Sequence, residues 1–140
     1  MLTAREVMVH DVVAALPTAT VRETIEVLVR ERMSGLPVVD ERGDLQGIIT
    51  EYALLEALYD SNVLDETIAG FMTCKVISVG EETPLTKVAD QMVLHRIRCL
   101  PVVRNGRVVG LVGRSEVLRA ALVSGRKLGG HAASVSAAAL

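Results

Sequence analysis

Residues 34–50 read SGLPVVDERGDLQGIIT, and residues 99–113 read CLPVVRNGRVVGLVG. Each stretch carries Leu-Pro-Val-Val, a polar turn with a glycine, and a second glycine that opens an apolar run. The similarity extends outward. Met8 matches Met72, Val12 matches Val76, Val21 matches Leu85 and Pro37 matches Pro101, each at an offset of 64 residues. From Gly43/Gly106 and Gly47/Gly110 onward the offset is 63. A constant offset with one slip in a turn is the signature of a duplicated structural unit, because loops absorb length changes that core elements do not.

One unit can be read from its punctuation. Thr3 and Glu6 form a capping box for a short helix to about Met8. "VVAA" (12–15) has the composition of a strand. Thr20 and Glu23 cap a helix whose stripe runs through Val21, Ile25, Val29 and Arg32, widened by Leu28. Residues 36–40 and 45–50 are two β-rich runs about a Gly-containing turn, which predicts a hairpin, and a helix follows from Glu51 to about Tyr59. The second unit repeats the order: a strand at 76–79, and Thr83-Pro84 starting a helix with proline in its first position. Val88, Met92 and His95 form its stripe. Strands at 99–104 and 107–112 flank Asn105-Gly106, a tight-turn dipeptide, and a helix runs from Arg114 to about Leu122. The expected class is α+β, built from two β-α-β-β-α motifs at 1–63 and 64–123. Residues 124–140 are small and weakly patterned, and read as a flexible tail.

Composition narrows the function. Half of the 140 residues are hydrophobic, with no Trp, one Phe and two Tyr, so the core must be aliphatic. Few aromatics and a net charge of −2 argue against base stacking and phosphate-backbone binding, and no nucleic-acid partner is expected. No apolar run reaches the length of a membrane span, and the charged N-terminus is not a signal peptide, so a cytoplasmic protein is expected. Cys74 and Cys99 form no CxxC and are read as reduced thiols. His10, His95 and His131 make no metal or triad constellation, and no Walker or dinucleotide glycine pattern occurs. No catalysis is expected.

The duplicated Leu-Pro-Val-Val hairpins and the element order resemble the cystathionine-beta-synthase (CBS) domain, over residues 1–123. The resemblance implies two motifs related by pseudo-two-fold symmetry, commonly dimerised through their helices. It implies an adenosine ligand in the cleft between motifs: AMP, ADP, ATP or S-adenosylmethionine. It also implies regulation of a partner protein, and no cofactor is required. The family pattern after the third strand is Gly-apolar-apolar-Thr/Ser-x-x-Asp, supplying a phosphate-binding hydroxyl and a ribose-binding carboxylate at a helix start.

In the first repeat Thr50 matches the hydroxyl, and Ala53 stands where the carboxylate should be. Losing such a charge-assisted pair costs roughly 1.5–3 kcal/mol, which marks this site as the weaker one. In the second repeat Glu116 keeps a carboxylate, Gly113 has lost the hydroxyl and leaves bare backbone N–H groups, and Arg114 and Ser115 offer a cation and a hydroxyl. The resemblance would build its base slot from Ile77, Val79, Leu100, Pro101 and Leu111. Arg96 and Arg98 could reach a phosphate between the motifs. Capping alone accounts equally well for Thr50 and Ser115, and the helix dipole for Glu116. A ligand-free assembly module with degenerate sites is therefore the alternative.

Overall fold

A computed structural model of the chain describes residues 2–60 and 62–124. The tail expected to be flexible lies, from residue 125 on, outside the described residues. The first half holds α1 (Ala4–Val7), α2 (Val21–Glu31), β1 (Gly35–Val39), β2 (Leu45–Thr50) and α3 (Glu51–Ala57). The second holds β3 (Val79–Gly80), α4 (Leu85–His95), β4 (Cys99–Arg104), β5 (Arg107–Gly113) and α5 (Arg114–Ser124). Two short 3-10 turns, Val63–Asp65 and Ile68–Gly70, lie between them.

Both predicted hairpins form, with Pro37 opposite Ile48 and Pro101 opposite Leu111. Asn105 and Gly106 both take positive φ, 52° and 84°, as a tight turn between twisted strands requires. The tips of the hairpins meet: Leu45 N–H donates to the Gly106 carbonyl at 2.9 Å and Val108 N–H to Gly43 at 3.0 Å.

The strands expected at 12–15 and 76–79 are cut short. The first is reduced to a single parallel bridge from Ala15 to Val38, and the second to Val79 and Gly80 beside Val102 and Val103. The repeated proline is the reason. Ala15 N–H donates to the Pro37 carbonyl and Val39 N–H donates to the Ala15 carbonyl. The next rung toward the N-terminus would need an N–H at position 37, or at 101 in the second motif, and proline has none.

Three helix details also differ from expectation. Helix α4 begins at Leu85 with Pro84 outside it as the cap residue, and the Thr83 hydroxyl accepts from Gly80 N–H at 3.0 Å, closing the preceding turn. The buried stripe of α2 runs through Val21, Thr24 and Leu28, while Val29 and Arg32 face solvent. On α4 it runs through Leu85, Val88, Ala89 and Met92, and His95 is exposed. Both helices end in the same way. Met33 N–H reaches back to the Leu28 carbonyl and Ile97 N–H to Met92, with Arg32 and Arg96 in the left-handed region at φ 54°.

The core is in two parts, and the leading segment of each repeat is exchanged between them. Ala4 and Met8 pack with Val88, Met92, Leu100 and Val112 of the second half. Ile68, with Phe71 and Met72 beside it, packs with Val21, Leu36, Val38 and Ile49 of the first. Backbone bonds follow the same crossing: Val9 and Leu111 exchange two, at 2.8 and 3.1 Å, and Ile48 and Thr73 exchange two, both at 2.9 Å. The repeated glycines allow it. A Cβ at Gly47 would lie 2.7 Å from the Thr73 carbonyl oxygen, and one at Gly110 would fall on the Met8 thioether.

A charge cluster pins α1 to the second half. Arg104 grips Glu81 with two bonds, Nε to Oε1 at 2.7 Å and Nη2 to Oε2 at 3.0 Å. Arg5 reaches Glu81 at 3.4 Å and Glu82 at 2.6 Å. The Arg104 hydrogen bond holds the Glu81 carboxyl below its ordinary value of 4.5. A carboxyl whose folded pKa is depressed adds stability above its ordinary pKa and loses it as pH falls through the lowered one. Urea midpoints measured from pH 6 down to pH 3 are therefore expected to fall less steeply for Glu81→Gln than for the unaltered chain. Parallel curves would show that the cluster contributes nothing.

Candidate functional site

The two helix starts that follow β2 and β5 are the pattern's positions for ligand, and they are built differently. At α3 the Thr50 hydroxyl accepts from Ala53 N–H at 3.1 Å, so it acts as the N-cap. At α5 position 113 offers no hydroxyl, and the Glu116 carboxylate takes over. Its Oε1 accepts from Gly113 N–H at 2.7 Å. The N–H groups expected to be bare at Gly113 are thus engaged: its own is held by Glu116, and that of Arg114 donates to the Arg98 carbonyl at 3.0 Å. Gly113 is what admits this arrangement, since a Cβ there would meet Glu116 Oε1 at 2.8 Å. A carboxylate has about four acceptor positions, so one N–H leaves capacity for a diol.

Arg114 and Arg98 line one cavity of about 510 Å³ with Glu51, Ser34 and Arg32. Glu51 Oε1 lies 3.6 Å from Arg98 Nη1, an ion pair that crosses from one half to the other. The remaining wall is apolar, from Ile25, Leu28 and Val29 of α2 and Leu54, Leu55 and Leu58 of α3. Three guanidinium groups against one carboxylate make the polar end of this cavity cationic, suited to an anionic group.

The other expected site residues are placed as follows. Ser115 is exposed on the first turn of α5, and Gly113 and Glu116 are half-buried. Val79, Leu100, Pro101 and Leu111 are buried, and Ile77 is partly buried against the second core. The structure brings Glu116, Gly113 and Arg114 together, and it holds Val79 and Leu100 within the hydrophobic core. Arg32 and Ser34 were missed as cavity residues. Their signal was available: each follows a helix and precedes the Leu-Pro strand at the place where the second repeat carries Arg96 and Arg98.

Cys99 lies opposite Gly113 in the hairpin. Burial, with the Glu116 charge as a second cause, pushes its thiol up to about 11. Such a thiol is almost wholly protonated near neutrality and is a poor nucleophile. Among the described residues no group of His, Cys, Asp and Glu is arranged to hold a metal ion, and no helix is long and apolar enough to cross a membrane.

Comparison with known proteins agrees with this architecture. The model of the CBS domain family matches twice, over residues 4–60 and 68–123. The crystal structure of CBSX2 in complex with AMP superposes with a TM-score of 0.83 at 28% identity, covering 90% of this chain and 100% of that one. CBSX2 is a CBS-pair protein of Arabidopsis thaliana. The CBS domain pair of protein MJ0100, solved with 5′-methylthioadenosine and S-adenosyl-L-methionine, gives 0.79 at 31% identity, covering 91% and 99%. Among curated sequences, the uncharacterized protein MJ1225 of Methanocaldococcus jannaschii is 32% identical over 115 residues, 82% of this chain and 41% of that protein. The inosine-5′-monophosphate dehydrogenase of the same organism is 32% identical over 117 residues, 83% of this chain and 23% of that enzyme. The chain thus spans less than two thirds of the length of these curated relatives, and the likeness to the dehydrogenase is confined to a part of it. Two matched segments that together cover most of the chain, on a fold with the same tandem arrangement, make this chain a member of the CBS domain family, built as a CBS pair.

Proposed function

We propose that this CBS pair is a regulatory module without catalysis of its own, which binds an adenosine compound (AMP, ADP, ATP or S-adenosylmethionine) between its motifs and controls a partner protein. The observation that carries this reading is the start of α5. There one stretch offers the Glu116 carboxylate to a ribose and the Arg114 cation, with Arg98 beside it, to a phosphate. The Ala53 methyl at the equivalent place in α3 makes that site the weaker one. The solved relatives with AMP and with 5′-methylthioadenosine and S-adenosyl-L-methionine support the ligand class. Ligand binding is proposed to shift the packing of one motif on the other, and so the surface offered to the partner. The free Cys74 and Cys99 thiols support a reducing, cytoplasmic setting. Exposed apolar side chains on four helices, among them Val29, Leu55, Val93 and Leu118, support a homodimer.

The test is the ligand-induced shift in melting temperature with AMP, ADP, ATP and S-adenosylmethionine. At about a hundred times the dissociation constant, one of them is expected to raise it by several degrees. Glu116→Ala should abolish the increment, whereas Thr50→Ala should retain it. Comparing increments separates ligand loss from the loss of the Glu116 cap itself. No shift with any of the four, for a protein confirmed free of bound nucleotide, would overturn the reading. It would favour a ligand-free assembly module, for which one observation speaks: both helix starts are already capped from within, by Thr50 and by Glu116.

A further inference from the structure

The two motifs make the same backbone bond at equivalent places and carry different side chains on it. Arg114 N–H donates to the Arg98 carbonyl at 3.0 Å, and Glu51 N–H donates to the Ser34 carbonyl at 2.9 Å. The offsets of 64 and 63 map Ser34 onto Arg98 and Glu51 onto Arg114. All four residues line the cavity of about 510 Å³. The second motif therefore brings two cations to that cavity, and the first brings a hydroxyl and a carboxylate.

The carboxylate reaches across the boundary between the motifs, with Glu51 Oε1 3.6 Å from Arg98 Nη1. Arg32 and Arg114 also line the cavity, and among the described residues neither forms an ion pair. Arg98 is thus the cavity guanidinium that already has an anionic partner. A carboxylate and a phosphate both seek the same donors, and a phosphate entering beside Glu51 meets a like charge. Both side chains of the pair are more than half exposed, so solvent screens their attraction and an incoming dianion can displace it. Local structure does not account for the reach to Arg98. Thr50 already caps α3, and the helix dipole favours an acid at position 51 wherever its side chain points.

We infer, resting on the nucleotide site proposed above, that Glu51 is a specificity-determining residue: it competes with the ligand's phosphate for Arg98. It thereby lowers the affinity for phosphorylated adenosine compounds relative to those without a phosphate. Adenosine itself leaves the Glu51–Arg98 pair in place, whereas AMP has to take Arg98 from it.

Isothermal titration calorimetry of the full chain with adenosine and with AMP tests this, because the two probes differ only in the phosphate. The quantity read is the ratio of their dissociation constants, adenosine over AMP. In Glu51→Gln that ratio is expected to rise about fivefold at low salt, through tighter AMP binding, and the gain should shrink toward 1 M salt. The adenosine constant should stay within about twofold, which also shows that the variant is folded. Arg98→Gln should lower the ratio. In that background a further Glu51→Gln should raise it only about twofold, since direct repulsion of the phosphate is all that remains. A purely structural ion pair would change the melting temperature and leave the ratio alone. An unmoved ratio in Glu51→Gln, or equal gains with and without Arg98, would overturn the competition while the nucleotide site stands. An unaltered chain that binds neither probe at about 1 mM would overturn the site itself, and the role of Glu51 with it.

Discussion

Ile68→Ala is expected to lower the unfolding free energy by about 2–5 kcal/mol. The side chain is fully buried and packs in the core of the first motif, although it belongs to the second repeat. Its backbone has little freedom to close the cavity left behind. Ile68 N–H donates to the Ala19 carbonyl at 2.8 Å, and its own carbonyl accepts from Phe71 and Met72 at 2.9 and 3.0 Å. A site that cannot collapse sits toward the upper end of the range. The equivalent residue in the first repeat is Ala4, also fully buried, in the other core. The two cores therefore differ in volume at this position. Urea denaturation of Ile68→Ala beside Glu41→Ala, a change at an exposed turn position expected to stay within about 0.5 kcal/mol, measures the effect. A cost below about 1 kcal/mol for Ile68→Ala would mean that residues 63–73 do not pack on the first motif.

Gly47→Ala is expected to destabilise by about 1–3 kcal/mol, and by more than Gly110→Ala. The cost is steric, because neither glycine is among those held at positive φ. At Gly47 the added methyl would lie 2.7 Å from a backbone oxygen, that of Thr73, which also accepts from Ile48 N–H at 2.9 Å. Relieving the contact pulls apart the rung that ties the exchanged segment to the sheet. At Gly110 the obstacle is the Met8 side chain, an unbranched thioether that can change rotamer. Melting temperatures of the two variants, measured together, check the order. Equal losses, or a greater loss at Gly110, would contradict the close approach of Thr73 to β2.

Much of this molecule is legible in its sequence. The offset of 64 slipping to 63 predicts a duplicated unit, and the slip falls in the hairpin turn where the structure has it. Capping pairs such as Thr20 and Glu23 are local, within three residues, and they form as read. The Asn105-Gly106 turn is decided by two residues that tolerate positive φ. The strands at 12–15 and 76–79 misread for a physical reason that was itself in the text: Pro37 and Pro101 lack the N–H that a longer ladder needs. The candidate site was legible as a set of positions, less so as chemistry. Glu116 was readable as a carboxylate at a helix start, whereas its bond to Gly113 N–H depends on how closely a side chain folds back when position 113 has no Cβ.

Two similar units, the places where their hairpins turn, and the residues apolar enough to be buried can all be read along the chain. Which core each leading segment enters is a matter of three-dimensional packing. Met8 and Met72, or Ala4 and Ile68, carry the same kind of side chain at equivalent places, and hydrophobic burial is non-directional: either core would accept either segment by polarity alone. The choice is made by packing volume, by the bare Cα faces of Gly47 and Gly110, and by the backbone pairs Val9–Leu111 and Ile48–Thr73. Those contacts join residues far apart in the chain, and no local pattern encodes them.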